Sequence, residues 1–228
     1  MKKALIILSC VVVAGLAFAT AFLLTYDRER RVTEKPVLYV YSPQEQRLTV
    51  SVDVDGAIDT AYPAPDALET TDWGTRASWT VTASPDGTLT DASGRTYPSL
   101  FWDGPVGQES PEEGFVVARE DAVPFLEEKL ALLGLTDKEA ADFITYWAPR
   151  IHANEYTFVS FDASSYTAHA RYSFTDEAGA PVEPDTFIRV FMTIRQAEAT
   201  TQVREQAFGP TPQRTGLVAV EWGGTEEQ

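Results

Sequence analysis

Between Ala4 and Thr25 the chain runs for twenty-two residues, ALIILSCVVVAGLAFATAFLLT, without a charged side chain, and no other segment restricts its folding as much. At about 1.5 Å per residue a helix of that length measures roughly 33 Å, enough to cross a hydrocarbon core of about 30 Å. Lys2 and Lys3 precede it, and Tyr26, Asp27, Arg28, Glu29, Arg30 and Arg31 follow. The run therefore reads as an N-terminal transmembrane helix, with residues 4–25 in the membrane. Two other readings stay open. Ala17-Phe18-Ala19 is an A-x-A site behind a positive start, as in a cleaved secretory signal, although Phe22, Leu23 and Leu24 prolong the apolar run beyond it. Cys10 as a lipid-bearing cysteine has a poor match in front, Ile7-Leu8-Ser9, and a long apolar stretch behind. Arg28, Arg30 and Arg31 favour a cytoplasmic carboxyl side. The two-lysine start is the usual layout of a signal anchor, and the preferred expectation is a single-pass cell-membrane protein with its domain outside the cytoplasm.

That domain is acidic. The 228 residues carry 18 Lys plus Arg against 34 Asp plus Glu, a formal charge of −16. Lys2 and Lys3 lie before the anchor, so 16 basic residues face all 34 acids after it. Such a surface repels nucleic acid and anionic lipid, and no nucleic-acid partner is expected. Cys10 is the only cysteine, which removes disulfide, thiol and Cys-ligated zinc chemistry from the domain. No cofactor or metal is expected, because His152 and His169 are seventeen residues apart and form no helical ligand pair. Each reads more readily as a surface or satisfied core histidine than as a catalytic one. Ser160, Ser164 and Ser165 lie near His169 in the chain, but nearness in sequence does not make a triad. Nor does any G-x-S-x-G elbow occur.

Beyond a charged stalk at 27–34, the periodicity changes from element to element. Val37 to Tyr41 is rich in β-formers. Leu48 to Val54 alternates with period two and ends at Asp55-Gly56. Ala61 to Gly74 has no period and reads as a loop. Trp79 to Ala83 and Tyr97 to Trp102 continue as strands between turn signals, followed by a loop over 103–114 and a short strand at Phe115 to Ala118. Ala122, Phe125, Leu126, Leu130 and Leu133 then fall on one helical stripe that Gly134 stops. Pro124 fits only in the first turn. Thr136 and Glu139 form a capping box for a second helix expected to end at Pro149. Thr157 to Phe161, Ala168 to Phe174, Phe187 to Ile194 and Leu217 to Trp222 read as further strands. The expected fold is α+β: a mainly antiparallel β-sheet meander, with a helical hairpin at about 120–149 packed on it. It occupies residues 35–224 as a single domain, between the anchor or signal at 1–26 with its stalk and a short tail at 225–228.

Several segments recur in order: KPVLYVYSP from Lys35, PDGTL from Pro85, LFWDG from Leu100, YWAP from Tyr146, PDTFIRVFM from Pro184 and VEWGG from Val220. The set resembles a widespread family of uncharacterised microbial proteins that open on a KPVIYLYP-like strand and close on an EWGG-like strand. Leu38, Val40 and Ser42 depart from that form. The resemblance implies an early strand, a helical hairpin and a terminal strand, and, as the family has no assigned activity, supplies no catalytic residues to carry over.

Two function classes follow. The preferred one is a non-enzymatic envelope binding or interaction module, whose partner is an envelope protein or glycan. Its candidate site residues are Trp102, Asp103, Arg189, Glu221 and Trp222. Arg189 interrupts an apolar strand, and so does Glu221, which predicts an ion pair between neighbouring strands. The alternative is a carboxylate-based hydrolase acting on an envelope polymer. There Asp103, Glu112, Glu113 or Glu221 would be acid and base, and Trp102 or Trp222 a floor for a sugar ring. No catalytic residue is assigned.

Overall fold

A computed structural model describes residues 30–107 and 109–227. The anchor reading for residues 4–25 falls outside these residues. Among the described residues no helix is long and apolar enough to cross a membrane.

The elements in order are β1 (Arg30–Tyr41), β2 (Gln46–Val54), β3 (Thr60–Tyr62), β4 (Ala67–Thr70), β5 (Thr75–Ala83), β6 (Leu89–Thr90), β7 (Thr96–Tyr97), β8 (Leu100–Gly107) and β9 (Glu113–Ala118). Then come α1 (Ala122–Leu132), α2 (Asp137–Ile151), β10 (Tyr156–Phe161), α3 (Ala163–His169), β11 (Ala170–Asp176), β12 (Thr186–Ala197), β13 (Arg204–Glu205) and β14 (Val218–Glu227). The fold is α+β and mostly β-sheet. Strand order is β13-β9-β10-β12-β14-β1-β8-β3 in the larger sheet and β11-β2-β5-β6-β7 in the smaller, where β4 also pairs with β5. This departs from the expected meander: most neighbours are far apart in sequence, and β12 and β14 pair in parallel over ten registered residues.

Alternation explains how the layers stack. In β1, Leu38 and Val40 point to a core shared with the smaller sheet, while Val37 and Tyr39 point to a second core beneath the helices. In β14, Ala219 joins the first core, and Val218, Val220 and Trp222 join the second. The larger sheet is thus the middle of three layers, and strands buried on both faces read as the near-continuous apolar runs seen in the sequence.

The helical hairpin is built as its residues predict. Pro124 sits in the first turn of α1, where no backbone donor is missed. Gly134, at φ +90°, closes α1 as its amide donates to the Ala131 carbonyl, and the Leu135 amide donates to that of Leu130. Thr136 and Glu139 complete the capping box. Other boundaries are corrected. α2 continues through Pro149 to Ile151, with the Arg150 guanidinium donating to the Tyr146 carbonyl at 2.8 Å. Residues 30–33, read as stalk, pair with β8, and residues 225–227, read as tail, belong to β14. The presumed loop at 61–74 contains β3 and β4, and β8 runs through Asp103 to Gly107. The strand read from Ala168 starts at Ala170, because Ala163–His169 forms α3.

Candidate functional site

Asp162 starts α3 by accepting a hydrogen bond from the Ser164 amide at 2.8 Å. The helix is then tied down by Tyr166, whose buried ring stacks on Phe191 at 4.2 Å and whose hydroxyl donates to Glu221 Oε1 at 2.7 Å. Glu221 Oε2 accepts from Arg189 Nε at 2.6 Å, so the predicted ion pair is present. Its surroundings are closed. Arg189 lies over the rings of Tyr166, Tyr172 and Phe187, and Trp102 Nε1 donates to the Tyr172 hydroxyl at 2.8 Å. Burial, followed by the charge of Glu221, holds both tyrosine hydroxyls well above their ordinary range. For Arg189 burial opposes the charge, but Glu221 outweighs it and the guanidinium stays protonated.

Trp102, Arg189 and Glu221 are therefore brought together, but as a buried support behind α3. Trp102 is 1% exposed and offers no ring face to a ligand. Trp222 is 0% exposed, points to the opposite face of the same sheet, and packs edge-on to Phe143. The tryptophan floor imagined for a sugar ring is corrected on this ground: the large apolar area of both rings is spent in the two cores. Asp103 is half-buried on β8, where its backbone carbonyl accepts from the Asp59 amide at 2.9 Å.

The open site lies on the other side of α3. A cavity of about 570 Å³ is bounded by α3, the segment before β9, the end of β10 and the region of β13. Glu109, Glu112, Glu113 and Asp162 line it, against one arginine, Arg204, which Glu113 pairs at 2.6 Å. Its field therefore disfavours anions and favours cations and hydrogen-bond donors. Gln206 fixes one wall by copying a strand partner: it donates to the Phe161 carbonyl at 2.8 Å and accepts from the Phe161 amide at 2.9 Å. Ser160, 0% exposed, also lines the cavity, and its Oγ has no hydrogen-bond partner among the described residues. A buried hydroxyl left unsatisfied costs about 1–3 kcal/mol, which a ligand group or water placed there recovers.

His169 closes the other end. Its Nδ1 lies 2.5 Å from Asp55 Oδ2, while Asp55 Oδ1 accepts from the Gly107 amide at 3.2 Å and the Asp55 amide donates to the His169 carbonyl at 3.0 Å. Gly107 allows this approach, since a Cβ there would come within 2.8 Å of Nδ1. With Nδ1 engaged, Nε2 is the ring nitrogen left for the cavity. His152, by contrast, bonds the Ala148 carbonyl through Nδ1 at the end of α2. No group of three or more His, Cys, Asp or Glu among the described residues is placed to hold a metal.

Sequence reasoning reached Glu112, Glu113 and the support pair, and it missed the His169–Asp55 dyad. The dyad joins residues 114 positions apart. The available signal was Asp55-Gly56 at the end of an alternating strand, which reads equally well as a simple turn. No protein-family model, curated protein or solved structure matches the chain, so the family resemblance of the sequence rests on the quoted segments alone.

Proposed function

We propose that the protein is an envelope interaction domain, tethered to the cell membrane through residues 4–25 and carried outside the cytoplasm, whose acidic cleft beside α3 receives a positively charged, hydrogen-bonding group of an envelope partner. The observation that carries this reading is the combination of four carboxylates on the cleft wall with the buried, unpartnered hydroxyl of Ser160. An uncommitted polar group in a built cavity is the usual mark of a ligand position. The carboxylate-hydrolase alternative keeps Glu112 and Glu113 in the cleft, with Glu113 engaged by Arg204; Glu221 is spent on Arg189 and Tyr166.

The test is lysine-directed cross-linking of intact cells with a membrane-impermeant reagent, followed by recovery of the tagged full chain. The expected result is a specific partner in the membrane fraction, lost several-fold when Glu109→Gln and Glu112→Gln are combined. Glu127→Gln with Glu128→Gln, on α1 and away from the cleft, is expected to leave recovery unchanged. Equal recovery with both pairs of substitutions removes the cleft from the reading, and a domain unreachable by the reagent removes the location.

A further inference from the structure

We infer that the same cleft carries a hydrolytic site, with Ser165 as nucleophile, His169 as general base and Asp55 as the residue that orients the base, acting on carboxylic esters that bear positive charge. This rests on the cleft being the ligand site. Ser165 and His169 are four residues apart on α3, so they share one helix face with Cβ atoms about 5–6 Å apart. A helical side chain leans toward the preceding turn, the direction in which Ser165 lies from His169. Both residues line the cavity.

Hydrogen bonds fix the two side chains separately, His169 through Asp55 and Ser165 through the Glu109 amide. Asp55 holds Nδ1, so a neutral ring carries its proton there and presents the Nε2 lone pair as a base. Ser165 Oγ accepts from the Glu109 amide at 2.9 Å, which leaves its own O–H free to donate. The Ser160 hydroxyl is a further hydrogen-bond donor lining the same cavity. Behind the helix, the Tyr166–Glu221–Arg189 chain holds α3 against the larger sheet, the rigid backing that such a constellation requires. The acids on the wall select the substrate, disfavouring anionic esters.

In the first step Ser165 Oγ bonds to the acyl carbon while its proton passes to His169 Nε2. The oxyanion collapses, the ester C–O bond breaks, and the imidazolium returns the proton to the departing alcohol. Water then repeats the sequence, giving its proton to His169 as its oxygen bonds to the acyl carbon. The acid leaves, and the proton returns to Ser165.

The experiment treats the detergent-solubilised full chain with a fluorophosphonate ester probe and maps the modified peptide. Modification at Ser165 is expected, together with its complete loss in Ser165→Ala. His169→Gly is expected to slow labelling ~10²-fold or more, within the range of general-base effects, and added imidazole to restore it. Asp55→Asn is expected to slow labelling and shift its pH profile, which a merely structural role does not do. If Asp55→Asn fails to fold, Ser165→Ala and His169→Gly carry the test, as neither residue lies in the core. An unmodified Ser165, or a label that survives Ser165→Ala, overturns the assignment. If partner recovery still depends on Glu109 and Glu112 in that case, the binding reading stands and the reaction alone is lost.

Discussion

Glu139 shows how one residue can serve two levels of structure. It is 0% exposed. Its Oε2 accepts from the Thr136 amide at 2.8 Å, as the capping box requires, and both oxygens meet the Arg214 guanidinium. The Tyr41 hydroxyl donates to Oε1 at 2.7 Å, and Arg214 also donates to the Gly134 carbonyl at 2.8 Å. Burial by itself would raise the Glu139 pKa, but the bonds to Arg214, Thr136 and Tyr41 outweigh it and hold it below the ordinary 4.5. The folded value therefore lies under the unfolded one. Its contribution to stability is fully present above about pH 4.5 and is lost as pH falls through the folded value. Glu139→Gln is expected to cost about 3 kcal/mol at pH 7, the low end for a broken buried pair because Arg214 is partly exposed. In urea unfolding the gap from the parent chain should narrow as pH drops below 4.5; a constant gap would show that the carboxylate charge is not what matters.

At the scale of elements, Tyr166 is what ties α3 to the larger sheet, while Ser165 and His169 tie it to the cleft rim. Tyr166→Phe removes its hydroxyl from Glu221 Oε1 and leaves a buried carboxylate oxygen short of a donor. The expected cost is about 2 kcal/mol, with faster amide exchange across 163–169 and slower fluorophosphonate labelling of Ser165. Unchanged exchange in that segment would mean the ring stacking on Phe191 suffices. The elements most legible in the sequence are those whose signals are local: the alternation of β2, the stripe of α1, the capping box and Gly134. α3 was hidden because its start, Asp162 capping the Ser164 amide, is a seven-residue feature inside β-forming surroundings, Tyr156 to Phe161 and Tyr172 to Phe174. The extension of α2 past Pro149 was hidden for a different reason. Trp147, Ala148 and Ile151 are buried among the helices and the larger sheet, and this tertiary burial outweighs the lost backbone donor. The dyad of the candidate site has only the ambiguous turn signal of Asp55-Gly56, since Asp55 and His169 meet through the pairing of β2 with β11.

For the whole molecule the decisive feature is that β1, β12 and β14 supply alternate side chains to two cores. Val37 and Tyr39 serve one core and Leu38 and Val40 the other; Ile188, Val190 and Met192 face the helices while Phe191 faces the smaller sheet. Apolar runs in the sequence announce strands buried on both sides, yet leave open which sheet each joins, because strand order comes from contacts distant in the chain. This is why a meander was expected where β14 in fact lies between β1 and β12. The same sharing couples the layers energetically. Trp102 belongs to the core between the sheets and Trp222 to the core under the helices. Each truncation to alanine is expected to cost about 3–5 kcal/mol. Neither layer can let go of its core without exposing the other face of the central strands. The helix signal and the exchange of β2 and β5 amides should therefore be lost in one transition, shifted alike by Trp102→Ala and Trp222→Ala. If Trp102→Ala lowered the transition of the smaller sheet while the helical signal kept its original midpoint, the two cores would unfold separately and the central sheet would not be their common frame.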